Sequence, residues 1–156
     1  MDLPLPPDFK EFLQLLASER IEYLLVGGYA VGYHGYPRPT GDLDIWIAME
    51  PANAARMLTV LAKFGFAHAG ATEQTFLTAG QIVRMGVPPV RIEVLNSISG
   101  VNFAECRSRA IQALVDGVLV WIIHREDLIA NKRAAGRNKD LNDVTHLEQG
   151  PSSRTK

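Results

Sequence analysis

From Arg38 to Ile47 the chain reads Arg-Pro-Thr-Gly-Asp-Leu-Asp-Ile-Trp-Ile, so that two aspartates alternate with apolar residues. A period of two is the pattern of a β-strand, whose successive side chains point to opposite faces and rise roughly 3.3 Å each. Asp42 and Asp44 therefore share one face, about 7 Å apart, while Leu43, Ile45 and Ile47 share the other. Aspartate is disfavoured in strands, and two like charges side by side repel. Such a strand needs a compensating charge, and a divalent cation supplies one. Magnesium takes one or two carboxylates, keeps several waters and completes its shell with phosphate oxygens. The alternative is the solvated face of an edge strand.

What precedes the pair favours the metal reading. Tyr23-Leu24-Leu25-Val26 is a short apolar run ending in Gly27-Gly28, and Tyr29 to Gly35 has the length of a short helix. A strand, a glycine turn and a helix N-terminus follow one another. Glycines there let backbone approach a ligand closely, and the first helical amides are unpaired donors at the positive end of the dipole. A tight connection needing positive φ is the plainer reading of the same two glycines.

Gly27-Gly28, a helix, and then Arg38-x-Thr40-x-Asp42-Leu43-Asp44-Ile45 resemble the signature of the nucleotidyltransferase superfamily, whose minimal fold is that of DNA polymerase β. The Arg and Thr before the acids are similar to those of AbiEii-type abortive-infection nucleotidyltransferases and their short relatives. The resemblance implies an α/β (α+β) minimal nucleotidyltransferase fold, a mixed β-sheet flanked by helices with further helices at the C-terminal end. It implies that Gly27 and Gly28 contact a triphosphate, that Asp42 and Asp44 bind two metal ions, and that a third acid on a neighbouring strand completes the site. Many members carry Ser where this chain has Gly28, so here backbone amides stand in for a hydroxyl contact.

Val90-Arg91-Ile92-Glu93-Val94-Leu95 supplies a candidate for the third acid. Val90, Ile92 and Val94 share the apolar face, which places Arg91, Glu93 and Leu95 on the other. An acid within an apolar strand is expected to be paired or metal-bound; a neighbour pair of Arg91 with Glu93 is the other reading. Relatives more often carry Asp at this position, and Glu93 is one methylene longer.

Nearer the C-terminus, Leu128, Ile129 and Lys132 fall on adjoining helical positions, and Gly136 is placed to stop that helix before another begins near Asn138. The resemblance extends to this region: a Lys on one helix and an Arg-x-Lys-Asp segment on the next flank the active site in such proteins. Lys132 is then expected to reach a triphosphate as a compact charge, with Asp140 and Asp143 fixing basic side chains and capping the second helix. Lys132, Lys139 and Asp140 admit both this reading and that of a mixed-charge helix surface; Arg133 and Asp143 read as surface. Arg38 is suited to bidentate phosphate contact, and Thr40 shares the parity of Asp42 and Asp44. Otherwise Pro37-Arg38-Pro39 is a rigid loop. His34, His68, His124 and His146 lack metal-ligand spacing, and Tyr29, Tyr33 and Tyr36 read as core packing.

The chain of 156 residues, 47% hydrophobic, is long enough for one substantial core. Residues 1–149 are expected to form a single domain, with 150–156 a flexible polar tail. The single cysteine, Cys106, excludes an internal disulfide, and the proline-rich acidic N-terminus is unlike a signal peptide, so a cytoplasmic protein is expected. No apolar run approaches membrane-spanning length. A formal net charge of −1 gives no global nucleic-acid footprint. Helices are expected at Pro7 to Ser18 and Pro51 to Phe64, and strands near Tyr23 to Val26, Asp42 to Ala48, Phe76, Gln81 to Met85 and Val90 to Leu95. Asp116-Gly117 marks a hairpin between Ala110 to Val115 and Val118 to Ile123.

The resemblance thus implies transfer of a nucleoside monophosphate from a nucleoside triphosphate such as ATP to an acceptor hydroxyl, with release of pyrophosphate. Magnesium or manganese held by Asp42, Asp44 and Glu93 serves the chemistry, and Gly27, Gly28, Arg38, Thr40, Lys132 and Lys139 hold the nucleotide. The acceptor stays open between tRNA, a protein and a small molecule, and a toxin–antitoxin or phage-defence role, with a toxin or antitoxin partner protein, follows from the resemblance alone. Two other classes fit the same residues: a nucleotide-binding or interaction protein with little catalysis, and a metal-dependent nuclease or phosphohydrolase.

Overall fold

A computed structural model describes residues 4–66 and 70–149. The segment 150–156 and His68 lie outside the described residues. In chain order the elements are α1 (Pro7–Ser18), β1 (Tyr23–Val26), α2 (Gly27–Tyr33), β2 (Asp42–Ile47), α3 (Pro51–Phe64), α4 (Glu73–Leu77), β3 (Ile82–Val87), β4 (Val90–Leu95), α5 (Phe103–Ser108), β5 (Ile111–Val115), β6 (Val118–Ile122), α6 (Arg125–Ala135) and α7 (Asn138–Gln149). The six strands form one mixed sheet in the order β3-β4-β2-β1-β6-β5. β4 and β2 run parallel, as do β1 and β6, and the other three pairs are antiparallel.

Local sequence explains most of these elements. α1 and α3 each begin with proline in the first turn, where its missing N–H is no loss. Phe9, Phe12, Leu13 and Leu16 recur at helical spacing and are buried. α3 ends at Gly65 and α6 at Gly136, both left-handed caps. Asp116 and Gly117 have φ of 48° and 81°, the pair of positive values that a two-residue hairpin turn demands. β1, apolar at all four positions, is buried along its whole length in the middle of the sheet. Leu43, Ile45 and Ile47 share one core with the buried stripes of α1 and α3.

Two expectations need correction, and one further element was not foreseen. The segment around Phe76 is the helix α4, not a strand, because Thr72 and Thr75 exchange hydrogen bonds in a capping box that starts a helical turn. Phe76 is buried from that helix. The second glycine turn residue is already helical: α2 starts at Gly27 directly after Val26 and ends at Tyr33. α5 was not expected; it is a short helix capped by Asn102, whose Oδ1 accepts from the Glu105 amide, and is too short to show a period.

One buried polar side chain ties α3 to the sheet. Asn53 accepts from the Glu22 amide at 2.8 Å and donates to the carbonyls of Glu22 at 3.1 Å and Ala48 at 3.0 Å. It thereby joins the segment entering β1 to the segment leaving β2. Asn53→Ala removes its bonds to the Glu22 amide and the Ala48 carbonyl, while the Glu22 carbonyl still accepts from the Ala48 amide at 3.1 Å, and it is expected to lower stability by about 2 kcal/mol or more, read as a lower urea midpoint with an unchanged slope.

Candidate active site

Strand register sets the geometry of the acids. Asp44 pairs with Glu93 on β4, Glu93 pairs with Arg84 on β3, and Asp44 lies opposite Val26 on β1, so Arg84, Glu93, Asp44 and Val26 form one row across the sheet. Asp42 and Arg91 form the neighbouring row. Asp42, Asp44 and Glu93 consequently offer carboxylate oxygens that all lie within 4.8 Å of one another. The chain leaves β1 through Gly27, whose φ is +71°. A Cβ there would overlap Asp44 Oδ2, so both the backbone conformation and the acid beside it require glycine.

Gly28 has a different reason. A Cβ at this position would lie 2.6 Å from Thr40 Oγ1 and 2.9 Å from Thr40 Cβ. The Thr40 side chain therefore fills the space that a side chain at position 28 would need, and its hydroxyl, bonded only weakly to the Asp42 carbonyl at 3.4 Å, lines the same cavity as Gly28. The Thr40 hydroxyl thus stands in the space beside Gly28, a proximity that spacing in the sequence does not reveal.

Arginines flank the acids. Arg91 grips Asp42 with two hydrogen bonds of 2.9 and 3.2 Å, and Arg84 donates to Glu93 at 2.6 Å. Arg91 stands 3.7 Å from Glu93, so the expected neighbour pair exists but is secondary to the cross-strand one. Asp44 has no such partner, and its Oδ1 is buried without a hydrogen bond. Burial, followed by the adjoining Glu93 and Asp42 carboxylates, pushes its carboxyl up to about 7, against a smaller opposing pull from Lys132. An orphaned buried oxygen among three hard oxygen donors fits a divalent cation of the magnesium or manganese type.

The C-terminal helices close the other side. Lys132 is buried, its Nζ 3.2 Å from both Asp140 and Asp143. Arg38 grips Asp143 at 2.9 and 2.7 Å, and Arg137 grips Asp140. Burial alone would raise these two carboxyls, but hydrogen bonds from Arg137 and Lys132 to Asp140, and from Arg38 and Lys132 to Asp143, hold both below the usual carboxylate range. Asp143, read from sequence as a surface residue, is instead a buried hub between α7, α6 and the loop before β2; its charge looked ordinary because its partners, Lys132 and the sequence-remote Arg38, lie on other elements. Arg133 does lie at the surface, paired with Glu148. Lys139 is exposed and makes no ion pair among the described residues. Gly27, Gly28, Arg38, Thr40, Lys132 and Lys139 all line one cavity of about 380 Å³ with Asp42, Asp44 and Glu93.

Sequence reasoning missed Arg84, Arg91 as the partner of Asp42, and Arg137. The outward parity of Arg84 between Val83 and Met85 was a usable signal. Among the histidines, His34 Nε2 lies 2.7 Å from the Ile123 carbonyl and His146 stacks on Tyr36, so neither faces the acids.

The sheet order, the three converging acids and the glycine corner define the nucleotidyltransferase fold. No protein-family profile and no curated protein matches the chain. Among solved structures, it is similar to the antibiotic-resistance factor ANT(2'')-Ia, an aminoglycoside nucleotidyltransferase, with a TM-score of 0.59 and 10% identity over 91% of this chain and 81% of that one. It is also similar to an antigenic nucleotidyltransferase-like protein from Paracoccidioides brasiliensis, with a TM-score of 0.50 and 22% identity over 93% and 78% of the two chains. At these identities the likeness is one of fold. Among the described residues no helix is long and apolar enough to cross a membrane.

The raised carboxyl of Asp44 has a thermodynamic consequence. It holds its proton more tightly folded than unfolded, so its contribution to stability is complete below the unfolded value of 3.8, declines as pH rises and is gone above about 7. Asp44→Asn removes that decline. Without divalent metal, the variant is expected to match the parent near pH 4 and to exceed it at pH 8 by a few kcal/mol, since a tenfold change in proton affinity is worth about 1.4 kcal/mol. Urea titrations across that range measure the gap.

Proposed function

We propose that the chain is a metal-dependent nucleotidyltransferase that moves a nucleoside monophosphate from a nucleoside triphosphate to an acceptor hydroxyl. The observation that carries this reading is the convergence of Asp42, Asp44 and Glu93 within 4.8 Å beside a corner that only glycine can form. Magnesium or manganese held by these three acids supplies charge neutralisation at the α-phosphoryl group and activation of the acceptor hydroxyl.

The chain's own residues do the rest. The backbone at Gly27 and Gly28 and the Thr40 hydroxyl receive the triphosphate. Arg38 and Lys132 stand beside it, held in fixed positions by Asp143 and Asp140, so little side-chain freedom is lost when the nucleotide arrives. Lys139 adds a charge at the exposed end of the cavity. The acceptor oxygen bonds to the α-phosphorus, the bond to the β-phosphate oxygen breaks, pyrophosphate carries away the electron pair, and the acceptor's proton passes to a carboxylate of the acid cluster. A toxin–antitoxin or phage-defence setting and a cytoplasmic location belong to this reading through the sequence resemblance.

Incubation of the full chain with magnesium and α-labelled triphosphates tests the reaction. Acceptor-dependent pyrophosphate release supports transfer; release of inorganic phosphate or cleavage of nucleic acid assigns the acids to a hydrolase; nucleotide binding without turnover assigns a binding module. Asp42→Asn with Asp44→Asn is expected to reduce pyrophosphate release at least a thousandfold with the circular-dichroism spectrum unchanged, and activity surviving that change excludes the mechanism. Gly28→Ser is expected to weaken triphosphate binding by crowding Thr40, and adding Thr40→Ala is expected to restore it, a reversal that calorimetric titration reads directly.

A further inference from the structure

The acceptor's chemistry can be read from the cavity's second rim, on the premise that the transferase reading holds. On the rim built by α6, α7 and the loop before β2, the four cations Arg38, Lys132, Arg137 and Lys139 meet two aspartates, Asp140 and Asp143, which leaves an excess of two positive charges (four less two) for a triphosphate. The opposite rim is the edge strand β3. Its outward residue Arg84 has a side chain 55% exposed and meets Glu93 alone, while Arg91 on β4 meets Asp42 and, more distantly, Glu93.

Among the described residues, both arginines are therefore balanced only by carboxylates of the acid cluster. A divalent cation draws on the same carboxylate charge that balances Arg84 and Arg91, so metal at Asp42 and Glu93 weakens both ion pairs even where a carboxylate bridges metal and guanidinium. Once a cation occupies the cluster, Arg84 is a largely exposed guanidinium with weakened compensation on the open edge of the cavity, which Ile82, Leu95 and Ile98 also line. Such a group binds an anion, phosphate above all, and repels a polycation.

Position separates this anion from the triphosphate. Along the row Arg84, Glu93, Asp44, Val26, the Arg84 backbone stands three strand spacings from that of Val26, roughly 14 Å, and its guanidinium meets Glu93 on the side of the acids away from the glycine corner. In an in-line displacement the attacking and leaving oxygens lie on opposite sides of phosphorus. With pyrophosphate leaving on the glycine and α6 side, the acceptor enters from the β3 side, where Arg84 stands. We propose that the acceptor is a hydroxyl compound that carries its own phosphate, and that Arg84 is the specificity-determining residue that binds it.

The phosphate has two sources, a phosphomonoester on a small sugar or a phosphodiester in a nucleic acid strand, and matched pairs distinguish them. The full chain, loaded with magnesium and a non-hydrolysable triphosphate analogue, is titrated calorimetrically with ribose 5-phosphate against ribose, with a dinucleoside monophosphate against its nucleoside, and with a polycationic aminosugar. The phosphate-bearing member of at least one pair is expected to bind about tenfold tighter than its partner, the sugar pair pointing to the first source and the nucleoside pair to the second. Arg84→Gln is expected to erase that difference and Arg84→Lys to retain part of it. The affinity of either variant for the triphosphate analogue is expected to stay unchanged, and manganese binding is expected not to weaken, because Arg84 competes with metal for Glu93. Equal or undetectable binding of both members in both pairs, tighter binding of the aminosugar, or an Arg84→Gln variant that loses the triphosphate analogue overturns the proposal. Failure of the unsubstituted chain to bind the analogue at all counts against the transferase reading instead, since the matched pairs are then compared with metal alone and still report on Arg84.

Discussion

Three carboxylates pressed together on one face of a sheet are the constraint around which the rest of the site is arranged. Left alone, they repel one another and lose hydration, and the structure shows two different responses. Asp42 and Glu93 lie toward the open side and are each met by an arginine from a neighbouring strand. Asp44 lies deepest, beside the glycine corner, and makes no ion pair among the described residues; burial and the neighbouring carboxylates push its carboxyl up to about 7. A cluster in this condition is poised for a divalent ion, because the ion relieves the desolvation of Asp44 and the mutual repulsion of all three together.

A second set of charges is buried in the opposite wall. Asp140 and Asp143 are almost wholly enclosed, and each is shared between two cations. Buried ions of this kind are weak evidence for stability as such, since removal from water offsets much of their attraction. Their structural effect is positional. Asp143 links the loop carrying Arg38 and Thr40 to α6 and α7, so the residues beside the glycine corner and the lysine facing it are held by one shared carboxylate. Loss of that carboxylate would leave Lys132 half-paired and Arg38 unanchored, and both lie on the cavity wall.

Much of the fold was legible because its signals are local. Proline at the start of α1 and α3, glycine at the end of α6, the Asp116-Gly117 turn and the two alternating strands each fix their own element within a few residues. α4 escaped because its cap pairs Thr72 with Thr75 instead of with an acid or amide, and α5 because six residues are too few for a helical period. In the site, Asp42 and Asp44 were visible as a violation of strand propensity, and Glu93 as an acid in an apolar run. The partners of Asp143 and Arg84 and the contact of Thr40 with the space beside Gly28 were not readable, since each depends on a residue of a different segment, although the outward parity of Arg84 was itself a signal.

The residue pattern alone determined that two aspartates share a strand face, that glycines follow a buried strand, and that a lysine sits on an apolar helix face, because period and parity are properties of neighbouring residues. Which charge meets which was decided only by the tertiary structure. Parallel pairing of β2 with β4 brought Glu93 level with Asp44, and antiparallel pairing of β3 brought Arg84 level with Glu93. The packing of α7 placed Asp140 and Asp143 against Lys132. Coulomb and hydrogen-bond energies depend on separations of a few ångströms, and between residues of different elements those separations are set by sheet register and helix packing, which no local pattern encodes.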